Sequence, residues 1–234
     1  MPPTELARRI DHTLLKPEAT PEQIDALCDQ AWQYGFASVC VNPVYVRRAV
    51  HRLDAGRSQN ADAAGPNVVS VAGFPLGAST TRTKADEARG ALDDGATEID
   101  MVVALGALVV GDVTMVRRDI EEVSRVVHEA VSGGILKVIL ETAAITTEQI
   151  VLGCRCCVEG EADFVKSSTG FHPAGGATVE HVRLLHRCAS PIPVKASGGI
   201  RTAAGANAML EAGAARLGTS SGVTIMEELL RSTS

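Results

Sequence analysis

The sequence predicts an α/β protein that folds as a (β/α)8 barrel, with a single domain over residues 1–234. Short apolar runs alternate with longer helical patterns from one end of the chain to the other. The runs are continuously apolar, which is typical of parallel strands that helices cover. Eight runs in 234 residues suit this barrel. An open doubly wound sheet is the structural alternative, although the G-x-G-x-x-G fingerprint and the P-loop pattern are both absent.

The strands and helices can be assigned along the chain. The predicted strands are Ile10–Leu15, Ser38–Val41, Val68–Ala72, Glu98–Val102, Lys137–Leu140, Asp163–Lys166, Val194–Ala196 and Arg216–Gly218. A helix is predicted after Thr20, because Pro21 suits the first helical position and Gln23 completes a capping box. Other predicted helices follow Thr146, Thr178 and Thr202. Three- and four-residue spacing predicts one buried helical face that consists of Val116, Ile120, Val123, Val127 and Ala130.

Composition and charge exclude several classes of protein. The net charge of −6 and the pI near 5.5 argue against a nucleic-acid-binding surface. No apolar run approaches the roughly 18 residues of a membrane helix, and the N-terminus has no signal-peptide core. We therefore predict a cytoplasmic protein that binds neither nucleic acid nor membrane.

Two further segments are assigned from composition alone. Six cysteines without a secretory signal indicate free thiols, and the trio Cys154, Cys156 and Cys157 is expected to pack within a helix rather than bind a metal. Residues 54–67 are small, polar and without periodicity, so we predict a surface connection there.

Ionisable residues interrupt or close several of the apolar runs. These residues are Asp11, Asp100, Glu141, Lys166 and Lys195. In a barrel the chemistry lies at the carboxyl ends of the strands, and several charges that meet there indicate a site. The alternative is a buried ion network that only holds the barrel together.

Lys166 is the candidate nucleophile. A free lysine has a pKa of about 10.4, so the amine must be made neutral before it can react. Lowering that pKa to about 7–8 takes about 4 kcal/mol, which burial and a second cation can supply. Lys195 is that cation if strands six and seven are neighbours, and Asp100 can relay protons. Lys137 precedes its apolar run, so we place it at the opposite rim and outside the site.

Three glycine-rich loops predict a phosphate site. They are SSTG (167–170), SGGI (197–200) and GTSSG (218–222), and they follow the last three strands. Glycine allows backbone N–H groups to approach an anion, and the helix after the third loop directs its N-terminus there.

The six histidines form no zinc pattern, and His12 is expected to make a structural hydrogen bond. Cys40 closes a strand and is expected to fill space or line the cavity.

Several motifs resemble those of the deoxyribose-phosphate aldolase family. They are EIDMV, KVILET, ADFVKSSTGF, VKASGGIRT and RLGTSSG, with DHTLLKP, VCVNP and GFPLG nearer the N-terminus. The resemblance runs in order from about residue 10 to residue 225. It implies a class I aldolase on a (β/α)8 barrel, with no metal and no cofactor. The implied reaction is reversible cleavage of 2-deoxy-D-ribose 5-phosphate to D-glyceraldehyde 3-phosphate and acetaldehyde, and the implied assembly is a homodimer.

The resemblance also implies residue roles. Lys166 corresponds to the Schiff-base lysine, Lys195 to the second lysine of the proton-transfer network and Asp100 to the proton donor and acceptor. The implied phosphate contacts are Gly170, Gly198, Gly199, Gly218, Ser220 and Ser221. Residues implied to line the barrel interior are Asp11, Thr13 and Cys40. The functional alternatives are a non-catalytic phosphosugar-binding barrel and a Schiff-base aldolase with another substrate.

Overall fold

Eight parallel strands close into a barrel in the computed structural model, which describes residues 1–59 and 65–233. Each strand pairs with the next along the chain, and the eighth pairs with the first. The strands are β1 (Ile10–Leu14), β2 (Ser38–Val41), β3 (Asn67–Ala72), β4 (Glu98–Val102), β5 (Ile135–Ile139), β6 (Phe164–Lys166), β7 (Val194–Ser197) and β8 (Ala214–Thr219). The predicted (β/α)8 barrel and all eight predicted strands are confirmed.

Helices surround the barrel. They are α1 (Pro3–Ala7), α2 (Pro21–Tyr34), α3 (Val46–Gln59), α4 (Thr81–Asp93), α5 (Leu105–Val110), α6 (Val113–Ala130), α7 (Thr147–Glu159), α8 (Val179–Cys188), α9 (Ala203–Glu211) and α10 (Gly222–Thr233). Within the described ranges, none of them combines the length and the apolar character needed to span a bilayer.

Threonine side chains cap the four helices at which the sequence predicts such caps. The Thr20 hydroxyl accepts from the Gln23 N–H in a capping box, and Thr146 forms a second box with Gln149. Thr178 and Thr202 cap α8 and α9. Each cap satisfies an N–H that has no partner inside its helix.

The predicted faces of the longer helices are largely confirmed. Four of the five residues predicted for the α6 face are buried, whereas Ala130 is exposed in the last turn. The cysteines Cys154, Cys156 and Cys157 are buried and unbonded in α7. Burial raises the pKa of the Cys154 thiol to about 12, so this thiol stays protonated and fills the core.

The surface connection predicted for residues 54–67 is wrong at its start. Residues 54–59 continue α3, and residues 60–64 lie outside the described ranges. Gly56 allows this part of α3 to pack closely on α2. A Cβ on Gly56 would lie 2.3 Å from Trp32 Nε1, which donates to the Leu53 carbonyl at 3.1 Å. Gly56 therefore marks a close contact between two helices rather than a turn.

Alternation along the strands sends apolar side chains outward and charged side chains inward. Ile99 and Met101 of β4 join the apolar core beneath the helices, while Asp100 between them is fully buried in the barrel. Val138 of β5 likewise joins the core, and Lys137 beside it points inward to Asp100. The barrel interior therefore contains charged side chains where such barrels are usually filled by branched apolar ones.

Candidate active site

A cavity of about 370 Å³ opens at the carboxyl ends of the strands. Lys166 reaches it from the barrel interior, and its side chain is almost fully buried. The predicted ligand residues that line the cavity are Thr13, Gly170, Gly198, Gly199, Gly218 and Ser220. The other three, Asp11, Cys40 and Ser221, are not among its lining residues. Most of the predicted set therefore converges on one opening.

Two lysines share a single carboxylate oxygen beneath this cavity. Lys166 Nζ lies 2.7 Å from Asp100 Oδ2, and Lys195 Nζ lies 2.6 Å from the same atom. The strands β6 and β7 are neighbours, and Lys166 is directly opposite Lys195 in their register. The condition that allows Lys195 to act on Lys166 is thus met.

The surroundings of Lys166 favour the neutral amine. Burial lowers the pKa of Lys166, the Lys195 ammonium lowers it further, and the Asp100 carboxylate raises it by less than the two together. Its pKa therefore lies below that of a free lysine. An amine in this condition, with access to a cavity, can attack a carbonyl carbon.

Lys195 is held in the opposite protonation state. Burial lowers its pKa, but the carboxylates of Asp100 and Asp11 outweigh burial and raise it above the usual value. Asp11 Oδ2 lies 2.5 Å from Lys195 Nζ. The pKa values of two neighbouring lysines are thereby shifted in opposite directions, so Lys166 loses its proton more readily than Lys195.

Lys137 belongs to this cluster, so its predicted place at the opposite rim is wrong. Strand β5 begins two residues earlier than predicted, which puts Lys137 in mid-strand with an inward side chain. Its Nζ lies 3.0 Å from Asp100 Oδ1 and 2.6 Å from Glu98 Oε2. Burial raises the pKa of Asp100, but Lys137, Lys166 and Lys195 outweigh burial and hold it well below its usual value.

Below the lysines, Asp11 closes a second layer of charge. It contacts the Arg216 guanidinium, whose Nε donates at 2.9 Å, and it accepts from Ser38 Oγ at 2.8 Å. Arg216 Nη2 also lies 3.4 Å from Glu98 Oε2. Burial raises the pKa of Asp11, and the charges of Lys195 and Arg216 outweigh it, so Asp11 is ionised. Arg216 and Glu98 were not predicted as part of the site, although each is the charged first residue of a predicted strand.

Thr13 and Cys40 lie in the barrel interior as the resemblance implies. The Thr13 hydroxyl donates to the Asp11 carbonyl at 2.8 Å beside the cavity. Cys40 is buried against Val69 and Val71. Burial, with a smaller effect from Asp100, raises the pKa of its thiol to about 11, so the thiol stays protonated. Cys40 therefore fills space.

Two of the loops predicted to bind phosphate owe their shape to glycines with positive φ. Gly170, Gly198 and Gly199 have φ angles of 81°, 90° and 81°. A Cβ on Gly198 would come within 2.9 Å of Gly176 Cα, so glycine allows the close approach of the loops after β6 and β7. This packing brings two of the predicted anion loops to one side of the cavity.

Side chains bind these loops to one another. Ser197 N donates to Ser167 Oγ at 3.0 Å, and Ser197 Oγ donates to the Ser168 carbonyl at 2.5 Å. The buried Glu141, with a positive φ of 55°, accepts from the Thr169 hydroxyl and N–H. Glu141 thus supports the first loop from β5 and does not line the cavity.

Hydrogen bonds of a threonine side chain hold the third loop, residues 218–222, in shape. Thr219 Oγ1 donates to the Ile200 carbonyl at 2.6 Å and accepts from the Ser221 N–H at 2.9 Å. The Ser221 N–H is therefore already engaged, while Ser220 is exposed at the cavity. The exposed cations Lys16 and Arg201 also line the cavity, although neither was predicted as a site residue.

His12 makes a structural hydrogen bond, as predicted. Its Nε2 lies 2.8 Å from Gln30 Oε1 on α2, and burial lowers its pKa. In the described part of the chain, no group of three His, Cys, Asp or Glu residues is arranged to hold a metal ion.

Comparison with known proteins agrees with this geometry. The family model of the DeoC/LacD family aldolases matches residues 6–228. The deoxyribose-phosphate aldolase of Thermococcus gammatolerans is 54% identical over 224 residues, which are 95% of this chain and 96% of that protein. The deoxyribose-phosphate aldolase of Brevibacillus brevis is 51% identical over 218 residues, which are 93% of each chain.

A solved structure extends the comparison to the fold. The tetrameric deoxyribose phosphate aldolase of Aeropyrum pernix superposes with a TM-score of 0.86 at 34% identity, over 98% of this chain and 92% of that one. Sequence and fold therefore agree over nearly the whole length. The chain belongs to the DeoC/LacD family of aldolases.

Proposed function

We propose that the chain reversibly cleaves 2-deoxy-D-ribose 5-phosphate to D-glyceraldehyde 3-phosphate and acetaldehyde through a Schiff base on Lys166. The observation that most supports this proposal is that Lys166 and Lys195 both contact Asp100 Oδ2. Of these two lysines, only Lys166 lines the cavity. The names of the relatives supply the substrate class.

The reaction begins at the aldehyde carbon of the open-chain sugar. The neutral Lys166 amine attacks C1, and loss of water gives an iminium ion. The C2–C3 bond then breaks, and its electron pair moves into the iminium to form a neutral enamine. The C3 hydroxyl loses its proton and becomes the aldehyde of glyceraldehyde 3-phosphate. A proton delivered to C2 and hydrolysis release acetaldehyde and the free amine.

Asp100 and Lys195 are proposed to carry the proton from the C3 hydroxyl to C2. They lie 2.6 Å apart, and Asp100 also contacts the nitrogen that bears the intermediate. The phosphate is proposed to bind at the loops of residues 167–170, 197–200 and 218–222. This proposal is supported by the glycines of these loops and by Ser220, which line the same cavity as Lys166.

Reductive trapping tests the proposal. The protein is treated with acetaldehyde and borohydride and mapped by peptide mass spectrometry, which is simple because the sequence has five lysines. We expect one ethyl group, on Lys166. Labelling of Lys195 instead would exchange the roles of the two lysines. Folded protein that cleaves no substrate and traps no aldehyde would favour the non-catalytic phosphosugar-binding barrel.

Substitution of Lys195 by leucine is expected to slow the reaction at neutral pH. Without the neighbouring ammonium, the pKa of Lys166 rises and less free amine is present. The acidic limb of the kcat/KM profile should move to higher pH, and activity should fall by about 10- to 100-fold at pH 7. A profile with unchanged midpoints would contradict the role of Lys195.

Substitution of Ser220 by aspartate is expected to act on the phosphate alone. A carboxylate at this exposed position in the third loop repels the substrate phosphate. The value of kcat/KM for 2-deoxyribose 5-phosphate should fall by about 100-fold, while that for unphosphorylated 2-deoxyribose should change little. Ser220→Ala is the matched control. Equal losses with both sugars would place the phosphate elsewhere.

We further propose that residues 1–234 form one catalytic domain, that the protein is cytoplasmic and that it pairs as a homodimer. A patch of exposed apolar side chains on α5 and α7 supports pairing, with Val110 at 78% exposure beside Val109 and Val151. The Gln149 side chain donates to the Val109 carbonyl and joins the two helices. Light scattering measures the assembly, and a fully active monomer would contradict the dimer.

A further inference from the structure

Six charges, five of them buried and one partly exposed, form a closed ring inside the barrel. In order around the ring they are Asp100, Lys137, Glu98, Arg216, Asp11 and Lys195. Cations and carboxylates alternate, so that every member contacts a member of opposite sign on each side. All six contacts are 3.4 Å or shorter. Five strands of the barrel contribute these residues, with Glu98 and Asp100 both on β4.

Arg216 closes the ring at the end of the barrel away from the cavity. Its side chain is 15% exposed, and it lies opposite Lys195 in the register of β7 and β8. The two carboxylates that it joins, Asp11 and Glu98, are almost fully buried. Without Arg216 no cation would lie between them. The groups that face the guanidinium are Asp11 on β1, Ser38 on β2 and Glu98 on β4.

The ring is electrically neutral without Lys166. Three carboxylates balance three cations, and Lys166 is a seventh group that contacts the ring at Asp100 Oδ2. The groups that face its nitrogen are Asp100 on β4, Lys195 on β7 and the protonated thiol of Cys40 on β2. A proton on Lys166 would give this buried cluster a net positive charge, which is costly away from water.

We propose that Arg216 is a positioning residue of the aldolase reaction, which completes the neutral ring and thereby leaves Lys166 as the free amine. The inference rests on the proposed function, because it explains how the nucleophile of that reaction is prepared. At this end of a barrel, charged residues are ordinarily assigned to stability alone. Here the charge at the closed end acts on the chemistry at the open end.

Charge-changing variants should move the protonation of Lys166 in predictable directions. Arg216→Met removes one positive charge, so the Lys166 titration midpoint should rise by about one pH unit. Glu98→Gln removes one negative charge and should lower the midpoint by a similar amount. Arg216→Lys keeps the charge and should restore most of the wild-type midpoint. The double variant Arg216→Met with Glu98→Gln is neutral again and should return towards the wild-type value.

The midpoint is measured by competitive acetylation of Lys166 with acetic anhydride as a function of pH, followed by peptide mapping. This readout needs only a free amine, so it is independent of Schiff-base formation and of the proposed reaction. Glu98→Gln is nearly isosteric and serves if Arg216→Met folds poorly. The proposal is supported by midpoints that follow the sign of the charge change. It is overturned if the single variants leave the Lys166 midpoint unchanged. It is also overturned if the midpoint of the double variant differs from wild type by more than that of either single variant.

Discussion

Replacing Lys166 by arginine is expected to abolish turnover. Arginine can still donate to Asp100, but its guanidinium stays protonated at any working pH and cannot form an imine. Removal of a covalent nucleophile should lower kcat by at least about 10⁴-fold. Formation of glyceraldehyde 3-phosphate, followed with a coupled assay, measures the loss.

The control for this variant is Arg52→Lys. Arg52 lies on the surface, where it pairs with Asp29 at 2.6 Å, and the exchange of the two residue types there should leave activity unchanged. Thermal unfolding of both variants shows whether the fold is kept. Near-normal turnover in Lys166→Arg would end the Schiff-base assignment.

Replacing Asp100 by asparagine is expected to damage stability and catalysis together. The carboxylate contacts Lys137, Lys166 and Lys195, and all four groups are buried. Its loss leaves the lysines without their shared counterion, so we expect unfolding to require about 3–5 kcal/mol less. Activity should fall by about 10²- to 10³-fold because the proton relay is lost.

The stability difference should depend on pH. Burial raises the pKa of Asp100, but the neighbouring lysines outweigh burial, so the pKa is well below its usual value in the folded protein. A lowered carboxyl pKa stabilises the fold above the unfolded value of about 4, and this contribution is lost as the pH falls towards the folded value. Wild type and Asp100→Asn should therefore differ most at neutral pH and converge in acid.

Urea unfolding at several pH values measures this dependence. Asp25→Asn is the matched control, because Asp25 pairs with Arg48 on the surface and its loss should cost less than about 1 kcal/mol. A stability difference that is small at pH 7, or that grows in acid, would show that Asp100 does not hold the cluster together.

The sequence was sufficient for the barrel and for the three central residues. Continuous apolar strands and threonine caps are determined by local sequence. They are present in the fold because tertiary packing does not oppose them. Asp100, Lys166 and Lys195 could be grouped because parallel strands bring such positions to one end of a barrel. Their contacts agree with that grouping, while their catalytic roles stay predictions.

The ring could not be predicted, because it depends on inward alternation and register rather than on composition. Lys137 was predicted at the opposite rim because the predicted strand began with it. In the structure Ile135 and Leu136 precede it in β5, so it lies in mid-strand. Glu98 and Arg216 begin their apolar runs, where a charge ordinarily faces solvent. The extension of α3 was missed for a related reason. The close approach of Gly56 to Trp32 on the neighbouring helix is a tertiary contact that the local sequence does not show.

The placement of the lysines has a practical consequence for attachment of the protein to solid supports. Lys84, Lys137, Lys166 and Lys195 are buried, whereas Lys16 is exposed and lines the cavity. Coupling of lysine side chains to an amine-reactive resin would therefore join the protein to the resin beside its own opening and obstruct the entry of substrate. Replacing Lys16 and introducing a lysine on the outer surface of α6 would turn the opening towards the solution.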